Sequence, residues 1–169
     1  MAISESTVAD IPEMAALINS AYRGESAKMG WTWESDLLRG IRTDEEELYG
    51  YLTRSDMTML KCVGEEGRII GCVYLEMKPS HQSVYAGMLT VSPLLQGRGI
   101  GKVLLEAVDD FARKQGCRAV ELSVISVRRE LIEWYERRGF RPTGEKIPLE
   151  TDKSVSEVPL ELMFMKKNL

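Results

Sequence analysis

The chain has 169 residues, 44% hydrophobic and 28% charged, the balance of an ordinary soluble domain long enough for one well-buried core. Its net charge of −4 argues against nucleic acid as the main partner. No apolar run approaches the roughly 20 residues of a membrane helix, and MAISESTVADIPEM has neither the basic start nor the apolar stretch of a signal peptide. The expectation is one cytoplasmic domain over residues 1–169, with no membrane partner. The charge is uneven: residues 1–60 hold 11 acidic and 5 basic side chains, a balance of −6, while residues 61–169 hold 15 and 17, a balance of +2. That split suits two ligands of opposite sign, or simply a solvated acidic face. Cys62, Cys72 and Cys117 are odd in number and fit no metal spacing, so they read as buried free thiols, and no metal site is expected.

In chain order, residues 2–6 form a short first strand. Asp10 with Glu13 has the spacing of a capping box, and Ile11, Met14, Ile18 and Ala21 then fall on one helical face. Thr43 with Glu46 repeats the signature ahead of Leu48, Tyr51 and Leu52. The stretch between, YRGESAKMGWTWESDLLRG, reads as a loop with or without a short helix. MTMLKCVG, RIIGCVYLEM and SVYAGMLTV are three apolar runs separated by EEG and KPSHQ, the pattern of an antiparallel meander. A helix from Gly99 to Gln115 follows, with Ile100, Leu104, Ala107 or Val108, and Phe111 inward and Glu106, Asp109 and Asp110 outward; Gly116 stops it. AVELSVI is a strand, residues 129–138 a helix capped by Gly139, and Val158 to Lys166 a final strand. The order β α α β β β α β α β β describes a mixed α/β (α+β) domain rather than an alternating doubly wound one.

The stretch LLQGRGIGKVLLE, residues 94–106, carries the chemistry. A P-loop needs G-x-x-x-x-G-K-[ST], but Gly101-Lys102 is followed by Val103 and no glycine lies five residues before Gly101. A dinucleotide fingerprint needs G-x-G-x-x-G inside a βαβ unit; here the pattern is G-x-G-x-G after a meander. What remains is a strand ending at Ser92-Pro93 and a loop entering a helix. Glycines at 97, 99 and 101 bare the backbone amides, the helix start adds partial positive charge, and Arg98 and Lys102 add whole charges. This is a pyrophosphate seat, or a glycine-rich turn with no ligand.

V-x-P-x-x-Q-G-R-G-I-G-K-x-L-L, residues 91–105, resembles the coenzyme A motif of the GNAT superfamily of N-acetyltransferases, whose core [QR]-x-x-G-x-[GA] falls on Gln96, Gly99 and Gly101. W-Y-E-R-R-G-F, residues 134–140, resembles that family's L-Y-E-K-x-G-F, and LELMFMKKNL its last strand. The resemblance covers about residues 57–167. It implies a central, mostly antiparallel twisted sheet of six or seven strands, splayed between strands four and five and flanked by about four helices.

The resemblance also implies acetyl-CoA in the splay and a primary amine, small-molecule or peptide, as acceptor. Donor contacts fall on Leu89, Thr90 and Val91, whose N–H would hold the thioester carbonyl, and on Gln96, Gly97, Arg98, Gly99, Ile100, Gly101 and Lys102. A bulge is expected near Gly87. Tyr135 matches the family tyrosine that gives a proton to the departing thiolate. Where the family often has Asn, position 128 is Arg, with the length to reach a phosphate. Strand four has no carboxylate, so Glu121, Glu76 and Glu34 are the candidate bases, alongside a water relay or no dedicated base. Tyr22, Trp31, Trp33 and Glu34 are expected at the acceptor, with Glu25 and Asp36 as further carboxylates for its ammonium. His81 is assigned no role. A homodimer is compatible with the family. A coenzyme A thioester sensor without acceptor chemistry, and transfer of a different acyl group, remain open alternatives.

Overall fold

The computed structural model describes residues 1–23, 37–38, 40–151 and 154–169. Seven strands form one sheet: β1 (Ala2–Glu5), β2 (Met57–Val63), β3 (Ile69–Lys78), β4 (Ser83–Val91), β5 (Ala119–Ile125), β6 (Arg141–Pro148) and β7 (Glu161–Asn168), in the order β1-β2-β3-β4-β5-β7-β6. All neighbours are antiparallel except β4 and β5. Among the described residues four α-helices flank it: α1 (Ile11–Tyr22), α2 (Glu45–Leu52), α3 (Ile100–Lys114) and α4 (Arg129–Glu136). None is long and apolar enough to cross a membrane.

Strand alternation builds two cores, one on each face of the sheet. Leu60, Cys62, Val73 and Leu75 turn toward α3, meeting Leu104, Leu105 and Val108. Met59 and Cys72 turn the other way, toward Met14, Ile18 and Leu48 of α1 and α2. Burial of these faces, rather than helix propensity, holds the short helices in place.

The β4–β5 pairing positions the site. It covers only Ser83–Tyr85 against Ala119–Glu121, after which the strands diverge. A bulge sharpens the divergence. The register steps from Cys72↔Thr90 to Tyr74↔Gly87, two residues on β3 against three on β4. The extra residue adopts the left-handed region at Met88, φ 49°, an uncommon conformation for a non-glycine residue. The bulge thus lies next to Gly87, as expected, and the glycine also makes room for the Tyr74 ring, from which a Cβ there would lie 2.2 Å.

Local details depart from the sequence expectations for identifiable reasons. The capping box closes at Thr7 and Asp10, with Thr7 N donating to Asp10 Oδ2 at 2.8 Å, and Asp10 also takes Lys61 Nζ at 2.8 Å. Glu13 instead accepts from the Ile69 amide at 2.8 Å, tying α1 to β3. At α2 the cap is Asp44, which accepts from Glu47 N at 2.8 Å, while Thr43 Oγ1 donates to Glu47 Oε1. Asp109, expected to face solvent, is buried and takes Lys167 of β7 as its partner at 2.5 Å. Cys62 and Cys72 are buried thiols, whereas Cys117 is partly exposed.

Candidate active site

Two cavities open where β4 and β5 part. The first has a volume of about 520 Å³ and runs from Leu89, Thr90 and Val91 to Gln96, Gly97, Gly99, Ile100, Gly101 and Lys102. Its other wall is α4 and the turn after it, with Leu131, Trp134, Arg137 and Arg138. The glycine loop is built for close approach. Gly97 and Gly99 hold φ 81° and 82°, which a side chain would strain, and Gly99 is the residue from which α3 departs. Val103 N is the amide that reaches back to Gly99 O, so the amides just before it have no acceptor within the helix. They form a donor cluster at a positive helix end. Gly101 fills another need: a Cβ there would sit 3.1 Å from the Trp134 ring, so glycine lets α4 pack against α3. Gln96 Nε2 donates to Val91 O at 3.2 Å and holds the loop against the strand end. Arg98, also expected on the donor, is exposed and outside the cavity lining.

The end of β4 presents its backbone to this cavity. Ser92 N donates to Ile70 O of β3 at 2.9 Å. Alternation along the strand then turns the Val91 N–H away from β3, into the gap. Leu89 O faces the same way, since Tyr22 Oη donates to it at 2.7 Å. A strand edge with donor and acceptor both aimed into a split sheet is an edge that can pair with an extended ligand.

The second cavity, about 420 Å³, is walled by side chains from distant parts of the chain. Tyr22 and Arg23 come from the end of α1, Arg42 from the loop before α2, Tyr74 from β3, Tyr85 from β4 and Ser123 from β5. Tyr85 Oη and Ser123 Oγ are hydrogen-bonded at 2.5 Å across the parting strands. Asn19 of α1 fixes the Arg42 loop, its Oδ1 accepting from Arg42 N at 2.7 Å and Thr43 N at 3.0 Å. Nothing in the sequence pattern marks Arg23, Arg42, Tyr74 or Tyr85 as one group.

Tyr135 lies where the cavities join; Tyr22, Leu89, Arg128 and Leu131 also line both. It is buried, with edge-on contacts to Trp134 and Phe140 at 5.1 and 5.6 Å between ring centres. Burial pushes its phenol far above the ordinary range, with Tyr22 and Tyr85 adding to the shift and Arg128 and Arg138 opposing it. The Arg138 guanidinium stacks 3.8 Å over the Trp134 ring, and burial together with Arg137 pulls it below its usual value. Arg128 is buried at the start of α4, in the walls of both cavities.

The candidate bases lie elsewhere. Glu121 stands on the last rung of the β4–β5 pairing, but its carboxylate accepts from Ser83 Oγ and sits 3.1 Å from His81 Nδ1, and it lies outside both linings. Burial pushes its carboxyl up, but the bonds to Ser83 and His81 outweigh that and hold it below its ordinary value. That makes it a weaker base. His81, given no role from sequence, thus has a structural partner. Glu76 pairs with Lys78 at 2.9 Å and Arg54 at 3.6 Å, also away from the cavities. Glu25, Trp31, Trp33, Glu34 and Asp36 lie outside the described residues.

The acetyltransferase (GNAT) family model matches residues 18–140. Among curated proteins the chain is similar to "Probable N-acetyltransferase 14" of Xenopus tropicalis, 30% identical over 60% of this chain and 49% of that one. It is also similar to "Streptothricin acetyltransferase" of Streptomyces lavendulae, 31% identical over 53% of this chain and 48% of that one. The matches thus span about half the length of those relatives. The ribosomal-protein-alanine N-acetyltransferase of Brucella melitensis has the same fold, with a TM-score of 0.75, 22% identity and full coverage of both chains. With the split sheet, the glycine loop and the family match in agreement, the chain belongs to the acetyltransferase (GNAT) family.

Proposed function

We propose that the chain is an N-acetyltransferase that binds acetyl-CoA and a primary amine together and lets the amine attack directly. The observation that carries this reading is the junction: five residues, Tyr135 among them, line both cavities, so a ligand in each would meet there. The first cavity fits the donor through the chain's own atoms. The amides from Gly97 to Lys102 suit a pyrophosphate, and Leu89 O and Val91 N–H suit an extended amide-bearing arm.

When bound, acetyl-CoA supplies an activated acyl group. The Val91 amide is then placed to hold the charge that develops on the carbonyl oxygen, and one such donor is worth about 3–4 kcal/mol. With acetyl-CoA bound, Tyr135, kept protonated because burial disfavours its phenolate, would give its Oη proton to the departing sulfur and recover one from water. In water a phenol of pKa about 10 is a poor donor to a thiolate of about 8.5. A thiolate leaving into the same buried junction would become more basic too, which favours the transfer. Among the described residues no carboxylate lines either cavity, and the amine's proton is assigned to water.

The test is a panel of small amines and peptides scored by release of the coenzyme A thiol. Release with at least one amine, above the rate without acceptor, is expected. Tight acetyl-CoA binding with no amine-dependent release across the panel contradicts the reading and favours a thioester sensor.

A further inference from the structure

We infer that the hydroxyl pair Tyr85–Ser123 receives the acceptor's amine and carries its proton toward water; this rests on the transferase reading above. The two side chains come from the strands that part. Tyr85 stands on the last rung of the β4–β5 pairing, and Ser123 lies two residues beyond that rung on β5, so the pair spans the point at which the sheet opens. Tyr85 Oη and Ser123 Oγ are 2.5 Å apart, at the short end of the O–H···O range, and both residues line the second cavity. Each hydroxyl has one proton and can also accept. Whichever donates within the pair, the other keeps its O–H, and lone pairs remain. Among the described residues neither hydroxyl has a further hydrogen-bond partner. The pair can therefore accept from an N–H and donate onward at once. The arginines lining this cavity only donate, and among the described residues no Asp or Glu lines it.

The pair is held rather than loose. The Tyr85 ring stands 6.2 Å from that of Tyr74, which stands 5.1 Å from that of Tyr51, and Gly87 gives the Tyr74 ring its room. Packing thus fixes the Tyr85 hydroxyl before any ligand arrives, and a group already in position needs no ordering in the reaction. Tyr85 also lies within electrostatic reach of Tyr135, since it adds to the upward shift of that phenol.

The protons balance across the two cavities. A neutral hydroxyl is too weak a base to deprotonate an ammonium, so the amine arrives already neutral, its extra proton left in solvent. As the nitrogen bonds to the acyl carbon and the carbon–sulfur bond breaks, the pair takes one N–H proton and passes its own O–H proton to a water. Neither hydroxyl is left charged. Tyr135 protonates the sulfur and recovers a proton from water, so one proton leaves the acceptor and one reaches the thiol. The hydroxyl pair stands in for the carboxylate base that neither described wall provides.

The test uses whichever of lysine, 1,5-diaminopentane, 2-phenylethylamine and a short peptide with a free N-terminus gives the fastest thiol release. Single-turnover rates are measured, with enzyme in excess of acetyl-CoA, for wild type, Tyr85→Phe, Ser123→Ala and the double variant, each checked by thermal melt. Each single variant should lose about 100-fold, the low end for a positioned proton-transfer group. The double variant should lose little more, because the pair acts as a unit. Ser123→Thr, which keeps a hydroxyl, should recover most of the rate. By calorimetry acetyl-CoA should bind each variant as it binds wild type, because neither residue lines the first cavity. Binding of the amine in the presence of coenzyme A should weaken about fivefold, as for one neutral hydrogen bond. In wild type, rates in mixtures of light and heavy water should follow a bowed line, the signature of more than one proton in motion, and this measurement needs no variant to fold. Single variants that turn over at the wild-type rate, additive losses, or a straight line overturn this inference and leave the transferase reading standing. Acetyl-CoA binding without thiol release for any of these acceptors overturns both.

Discussion

The two cavities are built by different means. The first cavity has one wall made mostly of backbone, a strand edge with a run of amides and glycines within residues 89–102, set against side chains of α4. The second cavity is mostly side chain, assembled from α1, the loop before α2, three strands and the start of α4. Backbone recognition of a ligand common to a family depends on glycines at fixed spacing, and tolerates change elsewhere. Side-chain recognition changes with each substitution, so one fold can keep its donor while its acceptor varies.

That comparison can be broken at its meeting point. Tyr135→Phe keeps the ring packing against Trp134 and Phe140 but removes the proton. A fall in kcat of about 100-fold is expected, with acetyl-CoA affinity nearly unchanged, as for loss of a general acid. Equal turnover in both proteins would remove Tyr135 from the mechanism.

The next effect lies under the acceptor side. Cys72 packs beneath α1 with no exposure, and burial pushes its thiol from 9.0 up to about 12. Tyr74, in the wall of the second cavity, is raised by burial as well. The folded values exceed the unfolded ones, so the stability these groups allow is fully present below pH 9 and is lost as pH rises toward 12. Cys72 alone should remove about 2 kcal/mol by about pH 10.5, at 1.36 kcal/mol per unit. Thermal melts between pH 8 and 10.5 check it; Cys72→Ala should flatten the decline, and an unchanged slope would exclude the thiol as its source.

A pair of glycine variants sharpens the contrast between the cavities. Gly99→Val strains a residue at φ 82° in the donor loop and should raise the KM for acetyl-CoA about tenfold, from roughly 1–2 kcal/mol of backbone strain. Gly87→Ala forces the Tyr74 ring aside and should raise the acceptor KM by a smaller factor, about threefold to fivefold. If each variant moved both constants equally, the two cavities would not act as separate sites.

How much was legible follows the same division. The strand, turn and helix around LLQGRGIGKVLLE were readable because their signals are local: glycine spacing, strand before, helix after. Of the donor residues named from it, only Arg98 falls outside the cavity. The helix and strand order was readable from periodicity, with cap positions shifted by a residue or a turn because Glu13 and Thr43 are drawn to partners outside their own caps. β6 gave little signal, since RPTGEKIP is exposed throughout and has no buried face to impose alternation. Arg23, Arg42, Tyr74 and Tyr85 were not readable as a set, because only the β4 bulge and the α1 packing bring them together. Glu121 looked like a base because it is a carboxylate on the neighbouring strand; the sequence does not state that its side chain is taken up by Ser83 and His81, outside both cavities.

The central claim is that donor and acceptor meet at Tyr135 within one complex. Initial rates measured over a grid of acetyl-CoA and acceptor concentrations test it most directly. Double-reciprocal lines that intersect are predicted, because both ligands must be bound before transfer. Parallel lines, together with a trapped acetylated enzyme, would signal a covalent intermediate and contradict the account.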